Sequence, residues 1–168
     1  MKEHIRLRAL KKLCDLIEQE VGIKVYRGRQ VVGKDIPMPF LVINETIRAG
    51  DTRQTSSGMA RNDRVDFLLS GYIDGESITH PIDACYEWIG KIEQAFSKIL
   101  AQKESSGSPR YPEWYLLGHL ISSFKYDAPV AHNPPDEVQS KSYFYFYFSF
   151  EVAYQSADPY RESLNKCN

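Results

Sequence analysis

The chain has 168 residues, of which 42% are hydrophobic and 26% are charged, so it is long enough for one globular domain with a full core. Its net charge of -1 argues against the broad basic surface that nucleic-acid-binding proteins usually carry. The cysteines Cys14, Cys85 and Cys167 form no C-x-x-C pair, which favours free thiols in a reducing compartment over disulfides.

The N-terminal segment Lys2–Val21 predicts an amphipathic helix. Apolar residues recur there at helical spacing, charged residues lie between them, and Gly22 follows as a helix-ending residue. Because the charges interrupt every apolar run, the segment reads as neither a signal peptide nor a membrane span. Two strand candidates follow, at residues 23–26 and 39–45.

A polar stretch from Arg48 to Asn62 separates these strands from the next strand, predicted at 63–73. The stretch contains Arg48, Arg53 and Arg61, and it is longer than the about two to five residues of typical hairpin loops. Two interpretations stay open: a solvated hairpin tip, or a loop that orders against a partner or a phosphate backbone.

The second half of the chain predicts a helix and two further strands. The helix begins near Thr79 and Pro81 and runs to about Gln102, with apolar residues at helical spacing. A strand is predicted at Trp114–Tyr126, followed by a proline-rich excursion at 127–138.

The last strand, SYFYFYFSFEVAYQ at 142–155, is the most informative stretch of the sequence. Its phenylalanines fall on one parity and Tyr143, Tyr145 and Tyr147 on the other, which predicts a strand with a phenylalanine face and a tyrosine face. Burial of each phenylalanine contributes about 1.5–3 kcal/mol, so that face should anchor the core. The tyrosine face fits either a solvated sheet surface or an interface, where aromatic residues are enriched. We favour the interface and expect these tyrosines to join subunits.

The order of elements predicts a single α+β domain over residues 1–156 and a flexible C-terminal tail at 157–168. We expect a mainly antiparallel sheet of four to five strands, with two helices packed on one face. Helices on the phenylalanine face would leave the tyrosine face uncovered within the subunit.

The sequence contains no recognisable catalytic motif, which favours a non-enzymatic protein. The histidines have no ligand spacing, so neither a metal site nor a cofactor is expected. One alternative is a small cytoplasmic enzyme that uses His119 with carboxylates, which would need a deep pocket. Another is a nucleic-acid-binding protein with steeply salt-dependent binding through Arg48, Arg53 and Arg61.

Several motifs occur in a distinctive order along the chain. They are Pro39-Phe40-Leu41-Val42 at the start of a strand, a long polar hairpin loop, a strand at Val65–Ile73, a tryptophan-bearing helix from Pro81 to Lys98, and the closing pattern Phe148-Ser149-Phe150-Glu151-Val152-Ala153-Tyr154. This layout resembles the tail-terminator or tail-completion proteins of long-tailed bacteriophages, over roughly residues 3–156.

The resemblance implies a small α+β subunit that assembles as a homo-oligomeric, hexameric ring. Such a ring sits on the tail tube protein, stops tube polymerisation and offers a surface to the head connector or neck protein. The resemblance also implies that the loop with Arg48, Arg53 and Arg61 turns towards the ring lumen or an axial partner, where non-specific contact with passing DNA needs only charge. The expected location is the virion tail or neck, after assembly in the host bacterial cytoplasm and without a membrane. A head-completion or neck adaptor protein is the nearest alternative.

Overall fold

The computed structural model describes residues 2–28, 38–46, 50–54, 60–73, 80, 82–132, 142–154 and 159–160. The strands in these ranges are β1 (Val25–Arg27), β2 (Phe40–Glu45), β3 (Thr52–Gln54), β4 (Arg61–Ile73), β5 (Ser123–Tyr126), β6 (Val130–His132) and β7 (Ser142–Tyr154). The helical segments are α1 (Ile5–Val21), α2 (Asp83–Leu100) and α3 (Leu116–His119).

The strands form one sheet in the order β1-β2-β4-β7-β5, with β3 also paired to β4 and β6 also paired to β7. The β1–β2 pair is parallel and the other pairs are antiparallel. The predicted α+β fold with a mainly antiparallel sheet is therefore confirmed. The predicted four to five strands and two helices are wrong, since the described chain has seven strands and three helical segments.

The centre of the sheet is the pair β4 and β7, each 13 residues long. Their register places Phe67 opposite Phe148, and the two rings stack with centroids 5.0 Å apart. Gly71 lies opposite Phe144, and a Cβ atom at Gly71 would lie 2.2 Å from the Phe144 ring. The bare glycine backbone therefore makes room for that ring against the sheet.

The helices α1 and α2 both pack on the phenylalanine face. Leu13 of α1 and Ile92 of α2 are fully buried in the same core as Phe146. Phe96 of α2 contacts the sheet directly, with its ring centroid 5.5 Å from that of Phe146 in an edge-to-face contact. Two long helices on one face of the sheet are what the hydrophobic pattern predicts.

The ends of α1 follow from local chemistry. The helix starts at Ile5 rather than at Lys2, because the His4 Nδ1 atom accepts a hydrogen bond of 3.1 Å from the Arg6 backbone N–H. It ends, as predicted, at Gly22, which has a φ of 79°. No helix in the described part of the chain is both long and apolar enough to cross a membrane.

The predicted strand at Trp114–Tyr126 is wrong over its first half, and β5 begins only at Ser123. All four residues of α3 have positive φ, from 47° at Leu116 to 69° at Gly118, so α3 is one left-handed turn. The turn buries the Leu117 side chain completely. The alternating apolar residues of this segment therefore belong to a turn and not to a strand.

The polar stretch predicted at Arg48–Asn62 is partly strand. β3 pairs with the first residues of β4, which begins at Arg61 instead of Asp63. Residues 47–49 and 55–59, with Arg48 among them, lie outside the described residues.

The chain is hydrogen-bonded to β4 on both sides of residues 47–49. The Thr46 N–H donates to the Asp66 carbonyl oxygen at 3.0 Å, and the Arg64 N–H donates to the Asp51 carbonyl oxygen at 2.8 Å. A Cβ atom at Gly50 would lie 1.8 Å from the Arg64 carbonyl oxygen. The close approach of the backbone to β4 at this position therefore requires glycine.

The predicted proline-rich excursion at 127–138 is also partly strand, because β6 pairs with β7. Residues 133–138 lie outside the described residues, as does most of the predicted tail at 157–168. Pro159 is described, and its carbonyl oxygen accepts a hydrogen bond of 3.2 Å from the Ile5 N–H at the start of α1.

Candidate interaction surface

The sheet face opposite α1 and α2 carries Tyr143, Tyr145 and Tyr147, the residues predicted to join subunits. They alternate along β7 with the buried phenylalanines, so the side chains of the two sets point to opposite faces. We call this surface the tyrosine face. Its other members come from β2, β4 and β6 and share the register of these tyrosines: Phe40, Val42, Arg64, Asp66, Leu68, Ser70, Tyr72, Val130 and His132.

The rings on the tyrosine face form a continuous series. The centroids of Tyr72 and Tyr143 are 5.0 Å apart, and those of Tyr143 and Tyr145 are 5.7 Å apart. Tyr145 and Tyr147 continue the series at 5.7 Å, in edge-to-face geometry. His132 of β6 stands nearly perpendicular to Tyr143, with centroids 4.8 Å apart. Such contacts restrict the orientations of the rings within the subunit.

The phenol groups in the middle of the tyrosine face are uncharged. Burial raises the pKa of Tyr143, and a hydrogen bond with Ser70, whose Oγ lies 3.3 Å from the Tyr143 hydroxyl, opposes that shift. Burial also raises the pKa of Tyr72, with a smaller contribution from Tyr143. The phenols of Tyr72 and Tyr143 are therefore uncharged at physiological pH.

The tyrosine face is more exposed on its β5 and β6 side than on its β2 side. Phe40 is only 3% exposed, whereas Tyr147 is 47% exposed and Val130 is 39% exposed. Aromatic and aliphatic carbon that is left in water at one end of a sheet face is a typical property of protein-binding surfaces.

An open groove of about 400 Å³ lies beside Tyr147. Arg64 in its wall is already paired, with its Nε atom 3.3 Å from Asp66 and an Nη atom 3.7 Å from Asp51. Lys125 and Asp127 also line the groove, and neither side chain has an ion pair or hydrogen bond within the described ranges. The groove thus combines an exposed ring with one unpaired cation and one unpaired anion.

The structure does not bring the predicted arginines together. Arg53 is exposed and lies opposite Asn62, on the tyrosine face. Arg61 points to the other face, where its Nη2 atom lies 2.9 Å from Asp63 and its guanidinium stands 4.6 Å from the centre of the Tyr154 ring. Arg48 lies outside the described residues.

The residues considered for catalysis do not form a common site in the described chain. His119 is exposed in α3, and its ring meets that of Tyr115 edge to face at 5.7 Å. No group of three or more histidine, cysteine, aspartate or glutamate side chains that could hold a metal occurs among the described residues.

Sequence reasoning missed Lys125, Asp127 and His132 as members of this surface. Alternation along β4 places Tyr72 on the same face as the polar residues of that strand, so the sequence alone predicts its position on the tyrosine face. The other three depend on how β5 and β6 pair with β7, and that pairing leaves no mark in local periodicity.

A scan against models of known protein families finds no match, and a search of curated proteins finds no match either.

Proposed function

We propose that this chain is a non-enzymatic virion assembly protein, a tail terminator whose subunits form a ring on the tail tube. The observation that carries the proposal is the tyrosine face: an ordered series of tyrosine rings that α1 and α2 leave uncovered. The order of elements, which resembles phage tail-terminator or tail-completion proteins, gives the second support.

Such a protein acts through the surfaces by which it binds its neighbours and not through a catalytic site. Subunits joined head to tail close into a ring when the rotation between them closes, and two different patches then meet at each contact. One patch in our proposal contains Tyr143, Tyr145 and Tyr147. The ring matches the tail tube on one side and differs from it on the other, so no further tube layer is templated. The head connector or neck protein then binds the second side.

Arg53 is the residue we assign to the axial contacts, together with Arg48. Arg53 is exposed and is not engaged in an ion pair within the described part of the chain. A cation at this position suits non-specific contact with a phosphate backbone. Arg61 suits that role less well, because Asp63 and Tyr154 hold its guanidinium.

The test of the proposal is the double variant Tyr145→Ser/Tyr147→Ser. We expect it to weaken ring assembly strongly, because truncated aromatic anchors at an interface typically cost about 2 kcal/mol or more each. The melting temperature should change little, because Tyr147 is half exposed and neither ring belongs to the core. Light scattering after size exclusion reports assembly, and circular dichroism reports melting.

The matched control is Tyr86→Ser, because Tyr86 is 62% exposed on α2 and lies away from the tyrosine face. It should leave assembly unchanged. The proposal fails if the double variant assembles and melts as the wild type does.

A further inference from the structure

The outer edge of β5 is open in the described chain, because β5 is the last strand on its side of the sheet. The Asp127 N–H donates to the Tyr147 carbonyl oxygen at 2.9 Å, so the backbone of Asp127 faces β7. Backbone groups of alternate residues point to opposite sides of a strand. The N–H and C=O groups of Phe124 and Tyr126 therefore point away from the sheet and can pair with another strand.

Two unpaired charges flank the centre of this edge. Lys125 and Asp127 stand on either side of Tyr126, and both line the groove beside Tyr147. The two side chains therefore share the tyrosine face. Their spacing of two residues equals the repeat of side chains on one face of a strand.

We propose that two copies of this chain pair through β5, antiparallel about a two-fold axis that passes between their Tyr126 residues. Outward-facing residues then pair with outward-facing residues, as an antiparallel ladder requires. In that register Lys125 lies opposite Asp127 of the second copy, and Asp127 lies opposite Lys125 of the second copy. An isologous contact repeats each interaction, so both ion pairs form at once.

The charges also exclude the neighbouring register. If Phe124 lay opposite Tyr126 of the second copy, the two Lys125 side chains would stand directly opposite each other. Like charges opposite each other destabilise strand pairs, and opposite charges stabilise them. The order lysine, tyrosine, aspartate along the edge is thus self-complementary in one two-fold register. This inference does not rest on the proposed terminator function, because it uses the backbone edge of β5 and the charges beside it and not the tyrosine rings.

Site-specific cross-linking tests the register directly. Lys125→Cys and Asp127→Cys are made separately in a Cys167→Ser background, which leaves Cys14 and Cys85, both buried. The two full-length proteins are oxidised alone and as a mixture. We expect the mixture to form more disulfide-linked dimer than either protein alone, because only the mixed pair brings the two thiols directly opposite each other. Equal cross-linking in all three samples would overturn the proposed register.

Charge reversal tests the ion pairs by sedimentation equilibrium. Lys125→Asp and Asp127→Lys should each raise the dimer dissociation constant at least about tenfold, because each reversal places like charges opposite each other twice. The double variant Lys125→Asp/Asp127→Lys restores both pairs with exchanged signs and should dimerise as the wild type does. Lys103→Asp, on an exposed lysine in a different loop, is the control.

Other results of these experiments would overturn the β5 pairing or distinguish it from the terminator function. A wild type that stays monomeric at the highest soluble concentration overturns the inference. A dimer that survives the single reversals but dissociates in Tyr145→Ser/Tyr147→Ser would assign association to the tyrosine face and also overturn it. Ring assembly that fails while the edge dimer behaves as expected would count against the terminator function alone.

Discussion

At Gly71 a single missing Cβ atom decides how β4 and β7 pack. The Phe144 ring occupies the space above the glycine and is fully buried, so it has little freedom to move aside. We therefore expect Gly71→Ala to lower the free energy of unfolding by about 1–3 kcal/mol, the usual cost of overpacking a core. Urea denaturation measures this change.

Gly90 in α2 is the matched control for that substitution. A Cβ atom at Gly90 would meet no other atom within 4 Å, and its φ is not positive. Because alanine is the better helix former, Gly90→Ala should raise the free energy of unfolding by about 0.5–1 kcal/mol. Unchanged stability in Gly71→Ala, or destabilisation by Gly90→Ala, would contradict this account of the two glycines.

The tyrosine hydroxyls predict how stability changes in alkali. Burial raises the pKa of Tyr143, so the folded chain holds that proton to higher pH than the unfolded chain does. Stability is then fully present below the ordinary tyrosine pKa of about 10 and is lost as pH rises through the folded pKa. Cys14 acts in the same direction, because burial raises its pKa to about 12.

Tyr143→Phe isolates the contribution of one hydroxyl. The ring remains, but the group that ionises is gone, so the free energy of unfolding should fall less steeply above the ordinary tyrosine pKa of about 10 than in the wild type. Urea denaturation across this pH range provides the comparison, with the exposed Tyr86→Phe as control. A slope identical to that of the wild type would show that ionisation of Tyr143 does not oppose folding.

Among the elements, the left-handed turn α3 is the most strained. Gly118 tolerates its φ of 69°, whereas His119 holds a φ of 63° at a cost of roughly 1–2 kcal/mol. Gly118→Ala should therefore lower the free energy of unfolding by about 1 kcal/mol. His119→Gly should leave it unchanged or raise it by up to about 1 kcal/mol, because relief of strain offsets the added freedom of the unfolded chain. Destabilisation by both substitutions in urea would contradict a left-handed turn.

The longest elements were the ones that sequence periodicity could predict. β7 repeats aromatic residues with period two over its whole length, and the apolar stripe of α2 holds its spacing in the same way. β3 and β6 have three residues each, and so short a strand shows no detectable alternation of polar and apolar residues. Their existence depends on the partner strands, and α3 depends on the burial of Leu117.

The candidate surface was predictable to the same extent. The tyrosines of β7 follow from strand parity alone, and the absence of α1 and α2 from their face follows from the phenylalanines opposite. The separation of Arg53 from Arg61 was not predictable, because it depends on the pairing of β3 with β4, which directs the two side chains to opposite faces. The role that we propose for Lys125 and Asp127 follows only from the edge position of β5, which local periodicity does not reveal.

At the scale of the whole molecule, the described sheet has one face covered by α1 and α2, an opposite face whose exposed rings lie towards β5 and β6, and an open edge at β5. The face covered by α1 and α2 folds the subunit, and we propose that the tyrosine rings and the β5 edge support association through different residues. Substitutions at Lys125 should therefore leave ring assembly intact, and substitutions at Tyr145 and Tyr147 should leave the β5 edge dimer intact. Exchange of these two phenotypes would show that the surfaces are assigned the wrong way round.

The most direct measurement for the central claim is negative-stain electron microscopy of the purified protein, wild type beside Tyr145→Ser/Tyr147→Ser, alone and with tail tubes. We predict rings with a central hole for the wild type, free or at tube ends, and none for the double variant. Compact single subunits from the wild type in both conditions, or rings that persist in the double variant, would contradict the claim that the tyrosine face joins subunits.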